Sequence, residues 1–436
     1  MSARQDRARP ARGAVAPGLE GVRELFDSFL EADPDYSAQV AAYVGGRLVV
    51  DLWGGPHHDA DTLTGIFSAS KGVSALMLAR LVKDGDLDLE ERVSHYWPEF
   101  AAHGKERVTV RQLLSHQAGV VGVPGARIGE RYDSRNIAAA LAAMRPVWRP
   151  GSAFGYHGTA IGPLMEELYR RVAGVELQED YGRLRAALGA DLYLGLPESE
   201  EPRFAPVLAP LPESTGPTES AGPTESTGPA GPTESTESAG PAESAEPTGG
   251  PAPTGPAPSI PQTPDDGVDQ VPDSLDSVVF FGGGPMDPQG VIEPNLRHLR
   301  AAGVASIGAV GSARGLARVY AAAVTGVEDV NGSAPVLPGP LVEDLGVQQC
   351  WGVDRVLGVQ AAYATVFQKP QPGRQWGSWR AIGHDGAAGA LGMADPTYGL
   401  ALGYVRRRMT TPGGLDPRAT ALSARLRSLL DPVLPL

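Results

Sequence analysis

The chain has 436 residues, 42% of them hydrophobic, enough for a large core or two packed subdomains. A single cysteine, Cys350, excludes an intrachain disulfide framework, and the eight histidines are scattered without metal-site spacing. The net charge of −14 is local: residues 204–296 hold 14 of the 51 acidic residues and none of the 37 basic ones, so the balanced remainder gives no argument for nucleic acid or a membrane surface.

Residues 1–18 are rich in Arg, Ala and Pro, have no apolar stretch of signal-peptide length, and read as a disordered tail. No run approaches the roughly 18 apolar residues of a membrane span; the expectation is a soluble, cytoplasmic protein. Leu19, Val22, Leu25, Phe26, Phe29 and Leu30 have helical spacing. Ala38–Val44 and Arg47–Trp53 read as strands joined by Gly45-Gly46, a hairpin signal. A helix is predicted from about Ser68 to Lys83, ended by Asp84-Gly85. From about 87 to 190 the pattern is mostly helical, with Pro150-Gly151-Ser152 as a turn and a strong amphipathic helix over 160–172.

Residues 206–294 read as a mostly disordered insertion. Gly-Pro-Thr-Glu-Ser recurs at 216–220, 222–226 and 231–235, and such a composition buries too little apolar surface to offset its ordering entropy. Order resumes near Val304, with a Ser312-capped helix to Val324, five short strand-like runs between 351 and 405, and a closing helix over 415–430. The simplest packing is one antiparallel sheet built from both chain ends with a helical subdomain inserted between them, and a cleft between the two as the site.

The stretch Ile66 to Gly72 carries a Ser-x-x-Lys, Ser68 and Lys71. Among the four lysines only Lys71 has a serine three residues before it. At that spacing both side chains lie on one face of a helix's first turn. A serine becomes nucleophilic when a neighbouring base takes its proton, and burial near a helix N-terminus can lower a lysine from about 10.4 to about 7–8 for that task. Downstream, Tyr156 and His157 could relay protons, although spacing alone favours a core tyrosine; the ordinary pKa of His157 suits the role better. The Gly-rich break at 381–389 reads either as a hairpin or bulge, or as a backbone edge aimed at an oxyanion. Ser115-His116-Gln117 reads as a structural turn with capping side chains.

Together, Phe67 to Gly72, Val110 to Gly119, Pro150-Gly151-Ser152 leading to Tyr156, Gly383 to Gly386, Gly311 to Arg318 and Met393 to Pro396 resemble the serine beta-lactamase and penicillin-binding protein superfamily, in particular class C beta-lactamases and family VIII carboxylesterases. The resemblance covers about 20–205 and 295–430. It implies an α+β fold of beta-lactamase/transpeptidase type, an antiparallel sheet flanked by helices with an inserted helical subdomain (about 87–190), in a hydrolase domain of 19–205 and 295–436. Ser68 would be acylated, Lys71 would be its base, and Tyr156 would assist proton transfer. His384 and Gly386 would match the third motif, and the amides of Ser68 and Ala387 would form the oxyanion hole. No cofactor or metal is implied.

Two positions depart from class C enzymes. Gly158 stands where their second motif ends in asparagine, and His384 stands where their third begins with lysine. Both losses weaken recognition of a beta-lactam's amide and carboxylate and leave neutral-ester hydrolysis intact. A protonated His384 would restore some attraction as pH falls towards about 6. The reading is a carboxylesterase on a small neutral ester; the alternatives are a weak beta-lactamase or D-amino-acid amidase/peptidase, and a non-catalytic scaffold. Oligomeric state is not legible.

Overall fold

The computed structural model describes residues 10–126, 130, 133–211, 275–281, 292–330, 334–410 and 413–430. The chain divides into a compact unit, Met1–Pro210 with Pro272–Leu436, and Leu211–Val271, of which only Leu211 is among the described residues.

The chain begins with β1 (Arg12–Val15), α1 (Glu20–Ala32), β2 (Ala38–Val44), β3 (Arg47–Gly54) and β4 (Thr64–Gly65). A 3-10 turn at Phe67–Ala69 leads directly into α2 (Ser70–Asp84). The middle is helical, with α3 (Val93–Tyr96), α4 (Val110–Leu114), α5 (Ser134–Ala143), α6 (Ile161–Ala173) and α7 (Leu177–Leu188), followed by β5 (Leu192–Leu194). Then come α8 (Leu275–Phe281), α9 (Arg297–Ala302), β6 (Ala309–Gly311), α10 (Ala313–Val324) and α11 (Gly339–Leu345). The chain closes with β7 (Cys350–Val353), β8 (Gln360–Tyr363), β9 (Ile382–Asp385), β10 (Leu391–Asp395), β11 (Leu400–Arg406) and α12 (Pro417–Leu430).

The main sheet has the order β1-β3-β2-β11-β10-β9, every pair antiparallel, so both chain ends build it. Side chains alternate between its faces. Ala41 and Tyr43 of β2 with Ala401 and Val405 of β11 face a core shared with α2, α6 and α10. Val40 and Ala42 with Leu400, Leu402 and Tyr404 face α1 and α12. Gly403 lets α10 close onto the sheet, since a Cβ there would lie 2.2 Å from the Ala313 carbonyl oxygen. Helix α2 is buried almost all round, from Ser70 to Ala79, which makes it the central rod of the molecule.

Three sequence expectations change. Arg12–Val15 pair with Val50–Trp53, so the expected disordered tail of 1–18 contains an edge strand. Backbone pairing at a sheet edge needs no apolar alternation, and composition therefore missed it. Within the expected insertion 206–294, Leu208 bridges Arg408 and Leu275–Phe281 form α8; residues 212–274 and 282–291 of that expectation lie outside the described residues. The β7–β8 hairpin is a separate two-stranded sheet, tied towards β9 by bridges at Gln368.

No described helix is long and apolar enough to cross a membrane.

Candidate active site

The site begins where the 3-10 turn meets α2. Phe67 is held at φ +49, an unusual conformation for a bulky residue. Ser70 Oγ fixes it by donating to the Phe67 carbonyl at 2.5 Å while accepting the Ala309 amide at 2.9 Å. The turn leaves Ser68 half-exposed at the surface and sends Lys71, in the first turn of α2, into the interior.

Lys71 Nζ donates to Ser68 Oγ at 2.9 Å and to the Ser306 carbonyl at 2.9 Å. Burial lowers its pKa to about 7, with Asp385 pulling weakly the other way. The amine is thus aimed at the serine and is about half neutral near pH 7. Ser306, a residue without a sequence signal, is anchored in turn by donating to the Thr159 carbonyl at 2.8 Å.

Tyr156 sits in the loop before α6. Its ring lies 5.0 Å from Lys71 Nζ. Burial drives its phenol far above the ordinary value, offset in part by a hydrogen bond with Ser68. Tyr156 is therefore a neutral phenol at pH 7, suited to passing a proton rather than to acting as a phenolate base.

Two backbone amides of Tyr156's surroundings and its own converge on Asp354, a second residue without a sequence signal. The wholly buried carboxylate accepts from the amides of Tyr156, Val356 and Leu357 at 2.8–3.0 Å and from the Tyr363 hydroxyl at 3.1 Å. On the other flank, His116 is held at φ +64 just beyond α4; its carbonyl accepts the Gly155 amide at 3.1 Å, and its ring packs 5.3 Å from that of Tyr156. The Ser115 turn is structural, as expected: Ser115 Oγ donates to the Arg111 carbonyl and accepts from Gln117 Nε2, both at 2.7 Å.

His157 is tied up away from the Ser68–Lys71 pair by bonds to the Gly155 carbonyl and His116. It is wholly buried, its Nδ1 bonds the Gly155 carbonyl at 2.7 Å, its amide donates to His116 Nδ1 at 3.2 Å, and burial lowers its pKa to about 4. Cys350 is a buried free thiol, raised by burial to about 12 and donating to the Ser115 carbonyl at 3.3 Å, which agrees with its reading as a packed small residue.

The third stretch is the end of β9 and the turn into β10. Gly386 is required there, since a Cβ would stand 2.0 Å from the Ile66 carbonyl oxygen and 3.3 Å from the Ala69 nitrogen. That close approach brings the turn's backbone against the Ser68 turn. Ser68 and Ala387 lie on these two facing turns. His384 is wholly buried, with Nδ1 on the Asp385 carbonyl at 2.7 Å. Burial, then Lys71 and Arg374, lower its pKa to about 3 despite that hydrogen bond. It is neutral at pH 6, so the expected gain in anion attraction on acidification does not arise from it. A fixed cation is nonetheless close: Arg374 donates to Asp385 at 3.0 Å.

A family model described as Beta-lactamase matches residues 26–425. EstA from Arthrobacter nitroguajacolicus Rue61a is 41% identical with a TM-score of 0.77, over 96% of this chain and 98% of that one. A penicillin-binding protein homologue from Caulobacter crescentus is 28% identical, TM-score 0.75, over 97% and 100%. A family VIII carboxylesterase is 28% identical, TM-score 0.74, over 96% and 99%. Esterase/beta-lactamase LipL of Mycobacterium tuberculosis is 34% identical over 215 residues, 47% of this chain and 50% of that protein, so the match spans half of that relative's length. With the family model covering nearly all of the compact unit and solved relatives aligned along almost the whole chain, this protein belongs to the beta-lactamase family of serine hydrolases and has its α+β, beta-lactamase/transpeptidase-like fold.

Proposed function

We propose that the chain is a carboxylesterase that hydrolyses small neutral esters through an acyl-enzyme on Ser68. The observation that carries this reading is Lys71 Nζ at 2.9 Å from Ser68 Oγ with its pKa lowered to about 7. Lys71 takes the Ser68 proton as the oxygen attacks the ester carbonyl, and the amides of Ser68 and Ala387 hold the oxyanion. Collapse expels the alcohol, which takes its proton from Lys71 through the Tyr156 phenol. Water then gives a proton back along the same path as its oxygen attacks the acyl carbon; collapse breaks the Ser68 Oγ–acyl bond, the proton passes from Lys71 to Ser68 Oγ, and the acid leaves. The names family VIII carboxylesterase and Esterase/beta-lactamase LipL, both attached to relatives, support an ester substrate.

Specificity follows from what else must be bound. Gly158 offers no side-chain amide and buried His384 no charge, so a beta-lactam's amide and carboxylate are desolvated with little in return. Wild-type kcat/KM for nitrophenyl acetate or butyrate is expected to exceed that for a chromogenic cephalosporin by roughly 100-fold or more. A preference for the cephalosporin would replace this reading with a beta-lactamase. Lys71→Ala and Tyr156→Phe should each lower ester kcat/KM by roughly 100- to 10,000-fold, and the double variant by little more, because the two act as one proton path. Losses that multiply cleanly would break that unit apart.

A further inference from the structure

Residues 275–281 return the chain from the Pro/Gly-rich stretch, and the mechanism above makes no use of them. They nevertheless dock against the site. Thr159 Oγ1 donates to the Val279 carbonyl at 3.0 Å. Val279 is wholly buried and packs with Val121, Trp148 and Tyr156. Two glycines make room for the docking. A Cβ on Gly122 would come within 2.8 Å of the Val278 carbonyl oxygen, and one on Gly158, at φ +37, would come within 2.0 Å of Val279 Cγ1. The next residue, Phe280, is half-buried, and its ring lies 6.4 Å from that of Tyr156, tilted by 38°. The Tyr156 ring in turn lies 5.0 Å from Lys71 Nζ, which donates to Ser68 Oγ at 2.9 Å. Phe280 thus packs against a side chain that itself lies against the Ser68–Lys71 pair.

We propose that α8 is the acyl-chain wall of the site: Val279 occupies the space beside Gly158, and Phe280, set against Tyr156, limits how long an acyl chain fits beside Ser68. The proposal rests on the ester-hydrolase reading and adds the residue that sets its acyl-chain length limit, Phe280. The chemistry of the wall is apolar. Val279 and Phe280 offer no side-chain hydrogen bond to an acyl amide, and their surface is matched by alkyl carbon. Gly158 and Val279 form one unit, because a side chain at 158 has to displace Val279 before it can reach any substrate.

The test compares nitrophenyl acetate, butyrate and octanoate in wild type and in Phe280→Ala, Phe280→Leu and Phe280→Trp, with melting temperatures to select folded variants. In parallel, alkylphosphonate inactivators with ethyl or octyl arms are timed by intact mass, which reads Ser68 labelling without ester turnover. Phe280→Ala and Phe280→Leu should raise the octanoate-to-acetate ratio of kcat/KM, Phe280→Ala by roughly tenfold or more, and Phe280→Trp should lower it; the octyl-to-ethyl labelling ratio should move the same way. If wild type turns over no ester but the labelling ratio shifts as stated, the wall stands and the ester reading fails. If esters are turned over but folded Phe280 variants keep the wild-type chain-length profile, the wall is overturned and the ester reading stands. A shift confined to esters of varied alcohol length, with the acyl series flat, also overturns it.

Discussion

Lys71 must be neutral to take a proton from Ser68, and burial in the first turn of α2 brings its pKa to about 7. Because a lowered lysine pKa makes the base form dominant above that value, ester kcat/KM should rise about tenfold per pH unit below about 7 and level off above it. A profile from about pH 5 to about pH 9 with no acidic limb would separate Lys71 from the rate. Asp385 is the charge that holds Lys71 up. Asp385→Asn removes it, which lowers the lysine further, so the acidic limb should move to lower pH. A limb that stays put or moves up would contradict the assignment. The Ser68–Lys71 pair was legible in the sequence because three residues of helix-like backbone bring the two together locally. Ser306 was not, because it reaches Lys71 across 235 residues of chain.

At the scale of elements, the loop before α6 is held from outside by the turn between β7 and β8. Asp354 binds the Tyr156 amide from 198 residues away, and nothing in the sequence around either residue announces the pair. Asp354→Asn keeps the shape but loses acceptor capacity towards four donors. It should cost about 3 kcal/mol of stability and lower the plateau of ester kcat while leaving the acidic limb where Lys71 sets it. A shifted limb would mean that Asp354 acts on the lysine rather than on Tyr156's position. The same scale corrects an expectation about Gly158. Reading the motif alone suggests that Gly158→Asn with His384→Lys would restore beta-lactam recognition. In the fold, a side chain at 158 collides with Val279, and one at 384 lies wholly inside. Gly158→Ala should therefore cost about 1–3 kcal/mol, relieved when Val279→Ala is added. Equal stability of Gly158→Ala and wild type would show that α8 does not sit there. Tyr156, Gly386 and Ala387 were legible only through the family resemblance; their own spacing also allowed a core tyrosine and an ordinary hairpin.

For the molecule as a whole, the main sheet and the central helix were readable because apolar runs bounded by turn signals such as Gly45-Gly46 and Asp84-Gly85 mark buried elements. Edge strand β1 and the small β4-β6-β5 sheet were not, since short strands joined by backbone bonds leave little side-chain pattern. The Pro/Gly/Ser/Thr/Glu-rich composition of 212–270 predicts a segment that adds nothing to the core. Replacing those residues with a short Gly/Ser linker should leave melting temperature and ester turnover within error, provided that 275–281 are kept. A large loss of either would assign the segment to the folded body. The claim on which the rest depends is that Ser68 is the nucleophile and Lys71 its base. Its most direct test is intact mass with peptide mapping after a fluorophosphonate probe at about pH 8, where Lys71 is mostly neutral. Wild type should gain a single adduct on the peptide containing Ser68, Lys71→Ala should gain it far more slowly, and Ser68→Ala not at all. An adduct on any other residue, or undiminished labelling and ester turnover in Ser68→Ala, would contradict the account.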